Sequence, residues 1–350
     1  MDDSANFLEP EKIVFMHDEK YEFQGVIVMH NTILGPALGG TRIHPYPTLI
    51  DAEEAARKLA RAMTYKNALA GLRFGGGKAV IIGNPATDKT EEMLRLYGRY
   101  INDLNGIYIT CEDSGTKEED MNIIAEETRF VTGIKKDSGN PAPMTAVGGF
   151  YGIKACLEVA YGSSDIQGKS FAIKGLGEVG FRLAKLIYRQ GGKLTVADIN
   201  EKQLEKIRKE LPQARIIDPD TIHENAVHVY CPCSLGGEIN EFTIWELNCD
   251  IIAGLANNIL AFENLGDILH KMGFFYAPDF AINSGGVRNI ATGLHKNGYN
   301  LVAALENTMQ IYDVIKTILE RSIETDTPSN IVANQMAEEI LLKAKTGGAT

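Results

Sequence analysis

The alternation of apolar and polar positions along the first third of the chain predicts mixed strands and helices. Residues 21–30 are rich in Val, Ile and Phe and predict a strand, and residues 34–42 then predict a turn-rich segment. A helix is predicted from near Asp51, with an inward-facing stripe at spacings of three and four made of Ala52, Ala56, Leu59, Met63 and Lys66. Lys66 is therefore predicted to be a buried cation that needs a partner.

A second lysine follows a run of three glycines. Lys78 opens the apolar run 79–82, which predicts a buried strand, so its ammonium is expected at the strand mouth beside bare backbone. Glycine lets a ligand approach the main chain closely. The Gly39–Gly40 pair offers the same opportunity, although a hairpin or bulge without a ligand explains that pair equally well.

The next elements are a helix over residues 90–104, which stops at Asn105-Gly106, and a short strand over 107–110. Residues 111–116, Cys-Glu-Asp-Ser-Gly-Thr, lie at the C-terminal end of that strand, where open α/β sheets place their chemistry. The alternative is that Glu112 and Asp113 merely cap the following helix.

Regular alternation of strands and helices begins after residue 160 and predicts a doubly wound parallel sheet. Residues 133–143 are the best candidate linker, and a helix over 145–160 follows them. Strands are predicted at 227–230, 251–253 and 274–277, each ending in small or amide residues that include Asn257 and the Gly285–Gly286 pair. The last two helices are predicted at 301–321 and 330–345.

A dinucleotide fingerprint stands at the start of this second half. The sequence Gly175-Leu-Gly-Glu-Val-Gly180 lies between a strand at 170–174 and a helix at about 179–190, and the next strand, 194–197, ends at Asp198. Gly175 permits the tight turn, Gly177 lets the pyrophosphate approach the helix N-terminus, and Gly180 lets helix and strand pack closely. Asp198 would accept the ribose hydroxyls and repel a 2′-phosphate, which favours NAD over NADP, and Lys202 weakens that distinction. The predicted cofactor contacts are Gly175, Leu176, Gly177, Glu178, Val179, Gly180 and Asp198.

Composition narrows the class of protein. With 350 residues, 44% of them hydrophobic and 23% charged, the chain has room for two globular domains. A formal charge of −11 with no basic run argues against nucleic acid and for a small-molecule partner. There is no apolar run long enough for a membrane span, and residues 1–6 are acidic where a secretion signal is basic, so a cytoplasmic protein is expected. Five cysteines and no histidine at ligand spacing from Cys231 and Cys233 favour structural thiols over a redox or metal site, and no metal is predicted.

Six short motifs in this order make the chain resemble the Glu/Leu/Phe/Val dehydrogenases: Gly-Pro-Ala-Leu-Gly-Gly-Thr-Arg42, Met-Thr-Tyr-Lys-Asn67, Gly-Gly-Gly-Lys78, Glu-Asp-Ser-Gly-Thr116, Ala-Asn-Asn258 and Ile-Asn-Ser-Gly-Gly286. The match runs from about residue 10 to 340, nearest to the leucine dehydrogenase branch. It implies reversible, NAD-dependent oxidative deamination of an apolar L-amino acid, with leucine or another branched-chain substrate favoured, to the 2-oxo acid and ammonium. It also implies an active-site cleft between two α/β domains in a homo-oligomer. The substrate-binding and oligomerisation domain would span 1–138, completed by the C-terminal helix 326–350, and the Rossmann-like NAD-binding domain would span 139–325.

The resemblance assigns roles to single residues. Lys66 matches the lysine that holds the substrate carboxylate, Lys78 the lysine of the acid/base steps, and Asp113 the acid that assists proton transfer. A fixed cation on a carboxylate is worth roughly 1.5–3 kcal/mol, and a partly dehydrated Lys78 near a second cation is expected to have a lowered pKa. Thr145, Asn257 and Asn283 match cofactor- or substrate-contacting positions. The predicted side-chain pocket and its neighbouring backbone comprise Leu38, Gly39, Gly40, Cys111, Asn257, Val287 and Ile290.

The chain departs from the family pattern at Cys111, Ser114, Ser284 and, most strongly, Arg288, where an aliphatic residue is usual. Arg288 either places a charge near the pocket or points away from it. One methylene changes the specificity of an apolar pocket by roughly 1–3 kcal/mol, so leucine, isoleucine and valine should overlap as substrates. Phenylalanine or tryptophan specificity remains an alternative.

Two other functions compete with this reading. A 2-hydroxyacid dehydrogenase usually works through a histidine and a carboxylate, and no histidine stands beside a catalytic-looking motif. A catalytically silent NAD- or amino-acid-binding protein is the remote alternative, and the intact set Lys66, Lys78 and Asp113 argues against it.

Overall fold

The computed structural model describes residues 7, 9–134, 138–295 and 298–347. The chain separates into two compact units. The first comprises Met1–Asn140, Ile290–Asn300 and Met336–Thr350, and the second comprises Pro141–Asn289 and Leu301–Gln335. Each unit is an α/β structure, as the sequence predicts.

The first unit is built on a five-stranded mixed sheet in the order β1-β2-β4-β3-β5. Strands β1 and β2 pair antiparallel, as do β2 and β4, whereas β3 runs parallel to both β4 and β5. The strands are β1 (Lys12–Asp18), β2 (Phe23–Asn31), β3 (Ala37–His44), β4 (Gly75–Ile82) and β5 (Tyr108–Glu112), and the helices are α1 (Leu49–Leu69), α2 (Glu91–Asp103) and α3 (Glu118–Ile124).

Helix α1 lies on the sheet along a line of small residues. Ala52, Ala56 and Ala60 pack on the valines of β2 and β4, and the buried line continues through Thr64. The observed line keeps Ala52 and Ala56 of the predicted stripe, but it then continues one position later than predicted, through Ala60 and Thr64. Lys66 consequently lies at the flank and is half-buried, where the sequence predicted a buried cation.

The glycines of the first unit lie inside strands, which corrects two predictions. Residues 34–36 of the segment predicted as turn-rich do form a turn, but residues 37–42 belong to β3 in the interior of the sheet. The three glycines before Lys78 begin β4, so Lys78 lies in the middle of that strand and not at its mouth. A Cβ on Gly76 would lie 2.0 Å from the Thr64 amide nitrogen, and one on Gly77 would lie 2.8 Å from the Tyr108 ring. The lack of a side chain at these glycines therefore allows atoms of neighbouring elements to pack against the strand.

The second unit contains a six-stranded, fully parallel sheet in the order β11-β10-β9-β6-β7-β8, which confirms the predicted doubly wound parallel sheet. Its strands are β6 (Ser170–Lys174), β7 (Lys193–Ala197), β8 (Arg215–Ile216), β9 (Val227–Pro232), β10 (Cys249–Ile252) and β11 (Phe275–Tyr276). The remaining helices are α4 (Ala142–Tyr161), α5 (Glu178–Arg189), α6 (Glu201–Glu210), α7 (Leu265–Lys271), α8 (Asp279–Ile282), α9 (Gly285–Gly293), α10 (Leu301–Met309), α11 (Ile311–Glu324) and α12 (Ser329–Lys345).

Helix boundaries account for the other differences. The single helix predicted over 301–321 is two helices that meet at Gln310, and α12 contains the boundary between the two units. The predicted linker 133–143 overlaps the start of α4, and residues 135–137 of it lie outside the described residues. In the described part of the chain, no helix is long and apolar enough to cross a membrane.

Candidate active site

Lys78, Asp113 and Arg42 form a charged cluster in the first unit. The Lys78 Nζ lies 2.8 Å from Asp113 Oδ2, and the Arg42 Nε lies 3.0 Å from the same oxygen. The Lys78 side chain is only 6% exposed and that of Asp113 19%. Burial by itself would raise the pKa of Asp113, but the two adjoining cations, Lys78 and Arg42, outweigh it and lower that pKa to about 2. The carboxylate is therefore ionised throughout the neutral range.

The loop after β5 fixes the Asp113 backbone. The Asp113 amide donates to Thr116 Oγ1 at 2.9 Å, and that hydroxyl in turn donates to the Thr41 carbonyl on β3, also at 2.9 Å. Gly115 supplies the left-handed turn with φ +86°. Helix α3 begins only at Glu118, so Asp113 is not a helix cap, and its side chain is directed to the two cations instead.

Lys66 and Cys111 border the same cluster. Burial raises the pKa of the Cys111 thiol to about 12, against the opposing fields of Lys78 and Lys66. The thiol is therefore neutral, and both lysines are near enough to act on it. Lys66 lies in the last turn of α1, and its neighbour Asn67 donates to the Gly75 carbonyl at 2.6 Å, which ties that turn to the strand carrying Lys78.

The other predicted pocket residues of the first unit are buried backbone and apolar groups. Leu38 is fully buried. A Cβ on Gly39 would lie 1.7 Å from the Gly77 carbonyl oxygen, and one on Gly40 would lie 2.7 Å from the Glu112 carbonyl oxygen. Side-chain space at both glycines is thus occupied by protein atoms. Ile290, on α9, also belongs to this unit and is buried.

The fingerprint loop of the second unit has the shape that a dinucleotide needs. Gly175 has φ +94°, and a Cβ on Gly180 would lie 2.0 Å from the Gly175 carbonyl oxygen, so both positions require glycine for the fold. Gly177 differs, because a Cβ there would meet nothing within 4 Å. It is the N-cap of α5 and makes no side-chain cap, with Glu178 and Val179 forming the first turn. Its open face at a helix N-terminus fits a pyrophosphate.

Asp198, which directly follows β7, is hydrogen-bonded to the fingerprint loop. Its Oδ2 accepts the Leu176 amide at 2.6 Å and its Oδ1 accepts the Asn200 amide at 2.7 Å. A carboxylate oxygen has room for a second donor, so the side chain fits a ribose hydroxyl as well. Lys202 lies on the first turn of α6, where its amide, not its ammonium, bonds to Asn200.

Two of the predicted polar contacts, Asn257 and Asn283, follow strands of the second unit, and the third, Thr145, lies at the start of α4. Asn283 is buried and donates to Asn257 Oδ1 at 2.8 Å and to the Ala256 carbonyl at 3.3 Å. The Asn283 Oδ1 is buried and accepts no protein hydrogen bond within the described residues. Thr145, at the start of α4, bonds to the Pro141 carbonyl at 3.1 Å. These amides form a polar group that fits a carboxamide-bearing ligand.

Arg288 and Val287 lie next to each other on α9. Val287 is buried, and the Arg288 Nη1 donates to the Asn307 carbonyl on α10 at 2.8 Å. Burial lowers the pKa of Arg288 to about 10. The guanidinium therefore joins α9 to α10 within the second unit.

The cysteines and one cluster around His223 are the remaining groups with metal-ligating or redox-active atoms. All five cysteines are free, and burial raises the pKa of Cys233 to about 12. Among the described residues, His223, Glu224 and Glu246 bring ligand atoms within 4.8 Å of one another. The His223 Nε2 already lies 2.9 Å from Glu246 Oε2, and its buried Nδ1 lacks the hydrogen-bond partner that a metal-bound histidine normally has. A hydrogen-bonded pair accounts for this group.

Arg42 is the functional candidate that the sequence analysis missed. It ends the Gly-Gly-Thr-Arg segment, and its partner Asp113 lies 71 residues further along the chain. The only sequence feature that pointed to Arg42 was this Gly-Gly-Thr-Arg segment. Its glycines were interpreted as a turn, so the arginine was not assigned a role.

The fold and the fingerprint define a two-unit, nicotinamide-dependent dehydrogenase. Residues 10–130 match the family described as Glu/Leu/Phe/Val dehydrogenase, dimerisation domain, and residues 193–341 match Glutamate/Leucine/Phenylalanine/Valine dehydrogenase. The chain is similar to leucine dehydrogenase of Bacillus subtilis (47% identity, 94% of this chain and 90% of that protein) and to L-tryptophan dehydrogenase of Nostoc punctiforme (39%, 96% and 94%). The crystal structure of the Nostoc punctiforme enzyme superposes with a TM-score of 0.86, covering 99% of this chain and 100% of that one at 36% identity. The chain belongs to the Glutamate/Leucine/Phenylalanine/Valine dehydrogenase family.

Proposed function

We propose that this protein catalyses the reversible, NAD-dependent oxidative deamination of an apolar L-amino acid, with leucine or another branched-chain amino acid as the preferred substrate. The proposal rests mainly on the buried Lys78–Asp113 pair. Lys66 lies close enough to influence the neighbouring Cys111 thiol. Two lysines are what an amino acid requires, because one must hold a carboxylate while the other moves protons at nitrogen.

Lys66, Lys78 and Asp113 have separate roles in the proposed reaction. Lys66 holds the substrate carboxylate from the flank of α1, where it is partly exposed and able to reach a ligand. Lys78 takes a proton from the substrate ammonium and releases it to solvent. It then takes a proton from the water that attacks the imine carbon and returns that proton to the departing nitrogen. Asp113 stays ionised and orients the Lys78 ammonium. A bound nicotinamide would supply the hydride acceptor for the substrate α-carbon.

NAD is the proposed cofactor, held by Gly175 to Gly180 and by Asp198. The open face of Gly177 supports pyrophosphate binding, and the carboxylate at the end of β7 disfavours an additional 2′-phosphate by charge repulsion. Thr145, Asn257 and Asn283 are proposed to contact the nicotinamide end or the substrate amine. Their amide and hydroxyl groups belong to the same unit as the fingerprint.

The preference for a branched-chain substrate rests on the higher identity to the leucine dehydrogenase than to the tryptophan dehydrogenase, 47% against 39%. Leu38, Cys111, Val287 and Ile290 are proposed as the apolar wall, and each is buried. Arg288 lies beside Val287 but bonds to Asn307, so it is not assigned to the wall.

We also propose a homo-oligomer and a division of labour between the units. Residues 1–138 with 326–350 would bind the substrate and form the oligomer contacts, and residues 139–325 would bind the cofactor. The match of residues 10–130 to a family described as a dimerisation domain supports the first assignment. Light scattering behind size-exclusion chromatography tests it, and a monomer at micromolar concentration would contradict it.

The activity is tested by following NADH absorbance with purified protein, NAD and a panel of L-amino acids. Leucine, isoleucine and valine should be turned over, with the highest kcat/KM for one of these three and a lower value with NADP. Preference for phenylalanine or tryptophan would replace the substrate assignment. Absence of turnover with every apolar amino acid would favour a protein that binds its ligands without catalysis.

A further inference from the structure

We infer that Arg42 is a positioning residue for proton transfer: by sharing Oδ2 of Asp113 with Lys78, it offsets part of the stabilisation that this carboxylate gives to the Lys78 ammonium. The inference rests on the proposed function for its place in turnover. The titration of Lys78 is a property of the cluster itself and can be measured without turnover.

The geometry shows two cations on one oxygen. Lys78 Nζ and Arg42 Nε lie 2.8 Å and 3.0 Å from Asp113 Oδ2. Asp113 Oδ2 is therefore held from two sides.

One cation would not give the same behaviour. A buried ammonium and carboxylate in contact titrate as a pair, because removing the lysine proton leaves an uncompensated buried negative charge. The carboxylate then raises the pKa of its lysine partner, by roughly 1–3 units for an opposite charge at this distance. Arginine stays charged at every relevant pH. With Arg42 present, Asp113 keeps a cationic partner whether Lys78 is protonated or not. The free-energy cost of deprotonating Lys78 is therefore smaller than it would be without Arg42.

The strands hold Arg42 in this place. β3 and β5 pair in parallel with Thr41 opposite Glu112, so the next residues along the two strands are Arg42 and Asp113. The Thr41 hydroxyl is fully buried and bonds to both Tyr97 and Thr110 at 2.6 Å, which locks this register. The Arg42 side chain is 24% exposed, so it lies at the edge of the buried pair.

Other charged and titratable groups also face Lys78 or its partners, and the inference includes them. From β5 and its loop come Asp113, Glu112 and the neutral thiol of Cys111. Helix α1 contributes Lys66, and Tyr46, which follows β3, is hydrogen-bonded to Arg42. Burial is the main cause that raises the pKa of Glu112, with Glu118 and Glu119 adding to it. Lys66 is the one other cation in this set, and it bears on Cys111. Arg42 is the cation in contact with Asp113 besides Lys78.

The test compares Arg42→Gln, Arg42→Lys and a matched control, Arg57→Gln, which removes an arginine that pairs with Glu53 on α1. The Lys78 titration is measured directly by competitive labelling with acetic anhydride across pH, with the Lys78 peptide quantified by mass spectrometry. Arg42→Gln should raise the labelling midpoint by about one pH unit or more. Arg42→Lys should restore most of the wild-type midpoint, and Arg57→Gln should leave it unchanged.

The activity profile gives the second readout. In Arg42→Gln the acid limb of the profile of log kcat/KM against pH should shift to higher pH by the same amount as the labelling midpoint. Activity at a pH on that limb should fall about tenfold, while the plateau at high pH should reach the wild-type value. A lowered plateau with an unmoved limb and an unmoved labelling midpoint would show a structural role only and would overturn the inference. If wild-type protein turns over no amino acid but the midpoint still moves, the proposed function fails and the role of Arg42 in the Lys78 titration stands.

Discussion

At the scale of single residues, the Asp113 carboxylate is the charged partner of Lys78. With a pKa of about 2, it is ionised at neutral pH. Its contact with Lys78 at 2.8 Å orients the lysine, so we expect Asp113 to assist proton transfer through Lys78.

The two lysines should separate in steady-state kinetics. Lys78→Ala removes the proton carrier, so kcat should fall by about 10²–10⁴ while NADH binding, followed by fluorescence, stays within twofold. Lys66→Ala removes one charge-assisted contact to the carboxylate, so KM for the amino acid should rise by roughly 10- to 100-fold with a smaller change in kcat. Unchanged kcat in the Lys78 variant would refute the mechanism.

At the scale of elements, secondary structure was predictable where a short sequence pattern determines it. It was not predictable where it depends on contacts with residues far away in the sequence. The β6–α5–β7 unit and the strand ends near Asn257 and Gly286 follow from short-range patterns, and the structure has those elements. β3 and the glycines of β4 were misread as turn or loop, because glycine in a strand looks like a turn until its neighbours are known. Those neighbours, Thr64 on α1 and Tyr108 on β5, come from other elements.

The α5 N-terminus offers a matched pair of glycine substitutions. Gly177→Ala adds a methyl group to open space, so the melting temperature should be unchanged while dinucleotide affinity, measured by calorimetry, falls about tenfold or more. Gly180→Ala forces its methyl against the Gly175 carbonyl, 2.0 Å away, so it should lower the melting temperature itself. Equal affinity in the Gly177 variant and the wild type would remove the pyrophosphate from this site.

At the scale of the whole molecule, the chemistry divides between two units of different sheet type. The unit with the mixed sheet contains Lys66, Lys78 and Asp113, and the unit with the parallel sheet contains the fingerprint and the amides. The sequence predicted two α/β domains and the parallel sheet of the second, because regular strand–helix alternation extends over many elements. It made no prediction of the mixed sheet in the first unit. It did not predict the pairing of Arg42 with Asp113, since the residues stand 71 positions apart and meet only through the parallel pairing of β3 with β5.

The same carboxylate should make the stability of the protein depend on acid. The folded pKa of Asp113, about 2, lies below its ordinary value of 3.8, so its contribution is complete above pH 4 and is lost as pH falls toward 2. Linkage puts the full contribution at about 2 kcal/mol, with about 1 kcal/mol of it lost by pH 3. Urea unfolding followed by circular dichroism at pH 6 and pH 3 should show wild-type protein losing about 1 kcal/mol more than Asp113→Asn over this interval. Glu54→Gln, an exposed position on α1, is the control and should track the wild type. Equal losses in the wild type and Asp113→Asn would mean that Lys78 and Arg42 do not hold the Asp113 pKa below its ordinary value.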